Sequence, residues 1–335
     1  MLYLGNNITV WLSLLVSLLK VGGDQQFFTL QGYAQGTTYQ VSYFAVSPVV
    51  KQGEVDSVLL RIDSSLSLYN STSLISRFNS SAEGTAIDDY FIAVINKSFE
   101  VYHRTKGKFD ITVAPLVQLW GFGPIAITKF PDRAEVQQAL ENVGMDLIRL
   151  QGNRLMKKKP GVQIDLNGIA QGYSVDEVAR FLTRKGISSY MVEIGGEIVV
   201  KGLKPDGSSY HIGIAGPPAN GDGPAIRKTV FIDHGAITTS GNYSKYLLQG
   251  NKKVSHLIDP KTGYPLNNQM ISVTVYAKDA ITADGYDNAV MAMGLHEALR
   301  FISKNKDMEA YLVYRKQDGS VADTLTSGFK NLIKD

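Results

Sequence analysis

Cysteine is absent from all 335 residues. That excludes disulfides, a thiolate nucleophile, cysteine-ligated zinc and lipid attachment through cysteine. Charge of one sign is also lacking. The 34 Lys and Arg nearly balance 31 Asp and Glu, a formal net charge of +3, so no basic footprint marks a nucleic-acid partner. Histidine is sparse: His103, His211, His234, His256 and His296 are scattered, which argues against a histidine-rich metal centre. The chain also lacks a GxxxxGKS or GxxxxGKT loop, a GxGxxG helix start, HExxH and GxSxG.

What remains is a globular composition, 44% hydrophobic and 19% charged, with length for two domains or one large one and an ample core. The most apolar stretch is Ile8–Leu19, too short for the roughly 20 residues of a spanning helix but suited to the core of a secretory signal. Val21-Gly22-Gly23 would suit signal peptidase, although no Lys or Arg precedes the run; a buried first helix is the alternative. Residues 1–23 are therefore read as a signal or anchor segment, and 24–335 as the functional domain, with a strand-rich later half that could form a second subdomain.

Helical spacing of apolar residues predicts helices over Glu54–Leu68 and Asp88–Tyr102, and a third opening at Ser174 with acids in its first turn and Gly186 as its stop. Late helices are expected over Ala280–Met293 and Leu295–Lys304. β-branched and aromatic runs predict strands at Gln40–Val46, Tyr190–Ile194, Glu197–Lys201, Tyr210–Ala215, Thr229–Asp233, Lys253–Ile258, Ile271–Ala277 and Glu309–Tyr314. Gly216–Pro224 reads as a loop. Helices first, then strands with late helices, favour an α+β fold.

Five clusters could carry chemistry. On a helix, Asp284, Asp287 and Asn288 stand at i, i+3 and i+4, one face of hard oxygen donors suited to Mg²⁺; a solvated face near a helix start is the ordinary alternative. Asp165–Tyr173 (DLNGIAQGY) alternates small residues before the Ser174 helix, where free N–H groups would favour an anion, or where a tight turn is simply needed. Val254–Gly263 holds His256, a candidate general base or a structural strand histidine. Lys108–Gly123 mixes aromatics, glycines and Asp110, either a flat pocket wall or core. Ala236–Tyr243 reads as a hydroxyl-rich turn. Spacing alone decides none of the last four.

In order, Gly36–Tyr39, Ser76–Asn79, Phe109–Val113, Asp165–Tyr173, Gly195–Glu197, Thr239–Gly241, His256–Gly263 and Ala283–Asp287 resemble the motifs of the ApbE-type flavin transferases, the FAD:protein FMN transferase family. The resemblance spans about residues 30 to 330. It implies a T-fold-like α+β architecture with FAD in a cleft and Mg²⁺ on the pyrophosphate. Asp284, Asp287 and Asn288 would supply side-chain ligands, and Gly168 its backbone carbonyl. Asp165 and Gln171 would flank the nucleotide, with Tyr69, Lys108, Phe109, Asp110 and Ile258 lining its site. Two positions depart from the family pattern: Gln35 stands where methionine is common, and Asn288 where Thr or Ser is usual. The implied reaction moves FMN from FAD to a Thr or Ser hydroxyl of an acceptor protein, such as a membrane redox subunit, and releases AMP. His256 is the candidate base, active as neutral imidazole, so the rate should rise through a pKa of about 6.5. FAD pyrophosphatase activity and non-catalytic FAD binding are the competing readings. An exported location, periplasmic or at the outer face of the inner membrane, is expected, without a lipid anchor because there is no cysteine.

Overall fold

A computed structural model of the chain describes residues 24–216, 225–242, 246–249 and 252–334. The expected signal or anchor segment, 1–23, lies outside them, as do 217–224 of the expected loop. The hairpin β1 (Gln26–Ala34) and β2 (Thr37–Ala45) leads to α1 (Gln52–Leu66), α2 (Leu74–Ser80), β3 (Gly84–Ala86) and α3 (Asp89–Arg104). Next come α4 (Ala114–Leu119), α5 (Arg133–Leu140), β4 (Ile148–Gln151), β5 (Arg154–Lys157) and α6 (Ala170–Arg184). Seven strands follow: β6 (Tyr190–Ile194), β7 (Glu197–Lys201), β8 (Tyr210–Gly216), β9 (Ala225–Ile232), β10 (His234–Gly241), β11 (Tyr246–Gln249) and β12 (Lys252–Ser255). The chain closes with β13 (Met270–Ala277), α7 (Ala280–Lys304), β14 (Met308–Arg315), β15 (Val321–Leu325) and α8 (Ser327–Lys330).

The α+β expectation holds. One antiparallel sheet runs β1-β2-β6-β7-β10-β13-β14-β15, so strands from both ends of the described chain share it. Successive residues of a strand face opposite sides, and here both sides are buried. Val199, Ala236, Val273 and Leu312 join the core formed with helical Val58, Val94, Val178 and Val290. Their neighbours Val200, Ile237 and Val313 face a second core with Ile212 and Val230 of the β8–β9 hairpin. The sheet is thus the middle layer between helices and a hairpin. That double burial explains why strands such as β13 read as continuous apolar runs rather than alternating ones.

Three local differences from the sequence reading matter for the site. Helix α6 begins at Ala170, four residues before the expected start at Ser174, so Gly172 lies inside its first turn. The expected strand Lys253–Ile258 stops at Ser255, which puts His256 in a bend beyond β12. The hydroxyl-rich segment expected as a turn is instead β10, paired on both sides by β7 and β13. The two late helices appear as expected: α7 breaks at Gly294, whose φ of 68° only glycine adopts at low cost.

The start of α7 is held in place from α6. A helix leaves its first four N–H groups unpaired, and here each has a partner. Asp176, buried in α6, accepts from Ala280 and Ile281 N–H at 2.9 Å each. Asp279 caps Thr282 N–H with its side chain at 3.1 Å, and its carbonyl accepts from Ala283 N–H. Asp176 is therefore a clamp between helices rather than an acid in a first turn. Replacing it with alanine strands two buried donors, and Asp176→Ala is expected to cost about 2–5 kcal/mol in urea unfolding. Asp176→Asn keeps one acceptor oxygen and should lose less; an alanine variant as stable as the parent would contradict the clamp.

Candidate active site

The α6–α7 crossing also positions the acids. Gly172 N–H donates to Asp284 Oδ2 at 2.8 Å, and a Cβ on Gly172 would sit 2.3 Å from the Ala280 carbonyl oxygen. Only glycine permits this approach, which places a main-chain donor on a fully buried carboxylate. The N–H expected to attract an anion is thus already taken by Asp284. One helical turn on, Asp287 Oδ2 accepts from Thr238 Oγ1 at 2.8 Å, while its buried Oδ1 has no hydrogen-bond partner. Asn288 Oδ1 accepts from Ser240 Oγ at 2.8 Å, and its Nδ2 donates to the Gly168 carbonyl at 3.4 Å. Thr238 and Ser240 are two residues apart on β10, so both face α7.

The loop that presents Gly168 is fastened at several points. The Asn79 side chain pairs with both main-chain groups of Ile164, at 2.8 and 2.9 Å. Asp165 N–H donates to the Ile111 carbonyl at 2.7 Å, and its Oδ1 accepts from Asn167 N–H at 2.8 Å. Phe109 borders Gly168, and buried Asp110 accepts from Thr112 N–H and Oγ1. Burial raises the pKa of Asp110 and of Asp165, partly offset by these hydrogen bonds.

The other residues enter from separate segments. Gln35 occupies the β1–β2 turn at φ 54°, a left-handed position unusual for a non-glycine residue, and its Nε2 donates to Ser174 Oγ of α6 at 2.7 Å. Its Oε1 is buried without a hydrogen-bond partner. Gln171 lies beside Gly195, where Thr37 and Glu197 also converge. Lys108 is half-buried next to Phe109, whereas Tyr69 is 72% exposed. Ile258 packs in a small cluster with Leu116, Trp120 and Val254. His256 is half-buried, its ring edge-on to Phe122 with centres 6.2 Å apart.

The structure thus gathers Gly168, Asp284, Asp287, Asn288 and Phe109, and links Gln35 to α6. Asn79 and Glu197 lie in motifs named above and Thr238 in the hydroxyl-rich cluster, but the sequence assigns them no role, and Asp176 reads only as a first-turn acid. The alternation of hydroxyls at 238 and 240 was the available signal, masked by reading that segment as a turn.

A model of the ApbE family matches residues 35–312. The chain belongs to the ApbE family. An ApbE relative from Vibrio cholerae, named FAD:protein FMN transferase, is 36% identical over 330 residues, covering 96% of this chain and 98% of the relative. One from Haemophilus influenzae with the same name is 33% identical over 333 residues, covering 95% and 94%. The solved flavin transferase ApbE from Vibrio cholerae superimposes with a TM-score of 0.84 at 34% identity, over 92% of this chain and all of that one.

In this ApbE-family chain the acids of α7 carry a clear electrostatic signature. Burial pushes Asp284 up to about 7, with Asp176 adding repulsion. Asp287 is held well above the usual carboxylate range by burial, then by the charges of Asp284 and Glu197. Among the described residues no three His, Cys, Asp or Glu side chains are grouped to hold a metal ion. The donor set here is two carboxylates and the Gly168 main-chain carbonyl, all hard oxygen; Asn288 turns its Nδ2 to that carbonyl and its Oδ1 to Ser240, so its oxygen would join them once the amide turns over. The partnerless Asp287 Oδ1 and the mutual repulsion of the pair are what a hard cation would relieve, so the residues fit such an ion.

The sign of the pH effect follows. Both folded pKa values exceed the unfolded value, so the folded state binds more protons, and stability is lost as pH rises from about 4 through 7. In EDTA, the unfolding temperature should fall between pH 5 and pH 8, and Asp284→Asn should make that fall shallower; an unchanged slope contradicts the assignment.

Proposed function

We propose that this chain transfers FMN from FAD to a Thr or Ser hydroxyl of an acceptor protein and releases AMP, in a Mg²⁺-dependent reaction. The observation that carries the reading is the buried Asp284–Asp287 pair, with one oxygen left unpartnered and the Gly168 carbonyl beside Asn288. Membership of a family whose relatives are named FAD:protein FMN transferase supports it.

Asp284, Asp287, Asn288 and the Gly168 carbonyl would hold Mg²⁺, which when bound neutralises pyrophosphate charge and eases departure of the AMP phosphate. Asn288 stands where Thr or Ser is usual, and its Oδ1 accepts from the Ser240 hydroxyl while its Nδ2 meets the Gly168 carbonyl, so ligation by Asn288 would require its amide to turn over. Gln35, Tyr69, Lys108, Phe109, Asp110, Asp165, Gln171 and Ile258 would bind FAD, with Phe109 as an apolar wall and Lys108 as a nearby positive charge. The acceptor hydroxyl oxygen attacks the FMN phosphorus, and the bond from that phosphorus to the bridging oxygen breaks. AMP leaves with the electron pair, and the hydroxyl proton passes to His256 as general base. His256 suits this role because it sits in a bend at the end of a short strand, beside the Phe122 ring, rather than within the sheet.

Residues 1–23 would direct export, so the acceptor would be a protein outside the cytoplasm, such as a subunit of a membrane redox complex. The described residues contain no helix long and apolar enough to cross a membrane.

Incubation with FAD, Mg²⁺ and a hydroxyl-bearing acceptor, read by mass spectrometry, tests the reaction. Covalent FMN on the acceptor is the expected result; free FMN alone would make the chain a pyrophosphatase, and intact bound FAD a carrier. Loss of the base in His256→Ala should lower kcat by about 10²–10⁴ while FAD still binds. Transfer by that variant at the parent rate would remove His256 from the role. Asp284→Ala should abolish the rise in unfolding temperature that Mg²⁺ gives the parent protein, and a variant that keeps the full rise would misplace the ion.

A further inference from the structure

A groove of about 680 Å³ opens where the ends of β10 and β14 meet the start of β13. Nothing in the FAD or cation assignments uses its lining. Its charge is of one sign: Arg315 and Lys316 line it, His296 of α7 lines it too, and among the described residues no Asp or Glu does. The nearest acids along the chain are Glu297 and Asp318, both outside the lining, and Asp318 is engaged by the Ser320 N–H and hydroxyl. The remaining polar lining is mostly amide, with Asn267, Gln269 and Gln317 exposed. An amide side chain offers a donor and an acceptor together, as a peptide main chain does.

The groove shares chain segments with the candidate active site. Ser255, in its wall, directly precedes His256. Asn242 follows Ser240, the partner of Asn288, by two residues, and its side chain donates to the Met270 carbonyl at 2.7 Å. Asn268 donates to the Met291 carbonyl of α7 at 2.9 Å, one turn beyond Asn288, and accepts from Met270 N–H. These internal bonds fasten the floor, while Asn267, Gln269, Arg315, Lys316 and Gln317 are exposed, Arg315 with one guanidinium N–H donating to the Gly319 carbonyl at 2.8 Å. The volume is in the range of ligand pockets, the walls mix amides with apolar Leu266, Ile271 and Leu295, and the charged lining is of one sign, features that a polypeptide with both main-chain and side-chain groups can meet. They suit an extended acidic segment.

We propose that this groove docks the acceptor polypeptide: an acidic stretch beside the hydroxyl residue lies along Arg315 and Lys316, and so delivers the hydroxyl toward His256. This rests on the transferase reading. Opposite charges across such a contact steer encounter and fix register, so the groove would select among hydroxyl-bearing chains rather than drive the chemistry.

A library of peptides with one central threonine and randomised flanks tests it, incubated with FAD and Mg²⁺ and read by mass spectrometry for FMN adducts. With the parent enzyme, Asp and Glu should be enriched in the flanks of modified peptides. In Arg315→Glu/Lys316→Glu the enrichment should vanish or reverse toward Lys and Arg, with the KM for an acidic peptide raised at least tenfold and kcat changed less than twofold. Adducts without acidic enrichment, or the same enrichment in the double variant, overturn the groove. So does a tenfold loss of FAD affinity in the double variant, read by flavin fluorescence, because the cations would then serve the nucleotide. Hydrolysis of FAD with no peptide modified would overturn recognition of a linear segment. Absence of both hydrolysis and transfer in the parent would instead fail the transferase reading on which the groove depends.

Discussion

The crossing of α6 and α7 is the constraint on which the rest of the site depends. At that crossing Asp176 takes the first two N–H groups of α7, and Gly172 offers its own N–H to Asp284. The absence of a side chain at Gly172 sets how closely the helices approach, and the Asp176 clamp sets where α7 begins. Everything placed by helical periodicity along α7 then follows: Asp284, Asp287 and Asn288 meet α6, Thr238, and the Ser240–Gly168 pair respectively. The middle-layer sheet fixes β10 beneath the same helix, so the hydroxyls at 238 and 240 arrive in register without a loop to position them.

This arrangement carries an electrostatic cost. Three acids, Asp176, Asp284 and Asp287, are buried within one helix pair, and burial raises all three, Asp176 to about 6. Hydrogen bonds from the main chain and Thr238 offset part of it, but Asp287 Oδ1 receives none. A fold shaped only for stability would place an amide or apolar residue there, since buried charge is weak evidence for stability. Retained acids with an orphan oxygen make sense as the resting state of a site that meets a cation, and the proposed chemistry needs positive charge there only when pyrophosphate is also present.

Much of this was legible in the residues. The spacing of 284, 287 and 288 put three polar side chains on one helix face, and α7 confirms that face, which meets α6 and β10. The break at Gly294 was visible as an interruption between two periodic stretches. The start of α6 was not visible, because Gly168, Ala170 and Gly172 resemble a turn when their partner helix is unknown; tertiary contact makes Gly172 helical. Likewise Thr238–Gly241 looked like a turn, since small hydroxyl residues favour turns, but pairing on both sides makes it a central strand. Asp176 was hidden for a related reason: nothing local distinguishes an acid favouring its own helix from one capping another.

In the proposed reaction the Asp284–Asp287 pair and the Gly168 carbonyl form one cation site against the pyrophosphate. Its most direct test is anomalous diffraction from crystals of the protein with FAD and Mn²⁺ in place of Mg²⁺. A single strong peak is expected within about 2.5 Å of carboxylate oxygens of both Asp284 and Asp287 and of the Gly168 carbonyl. A peak elsewhere, or bound FAD with no peak at this pair, would contradict it.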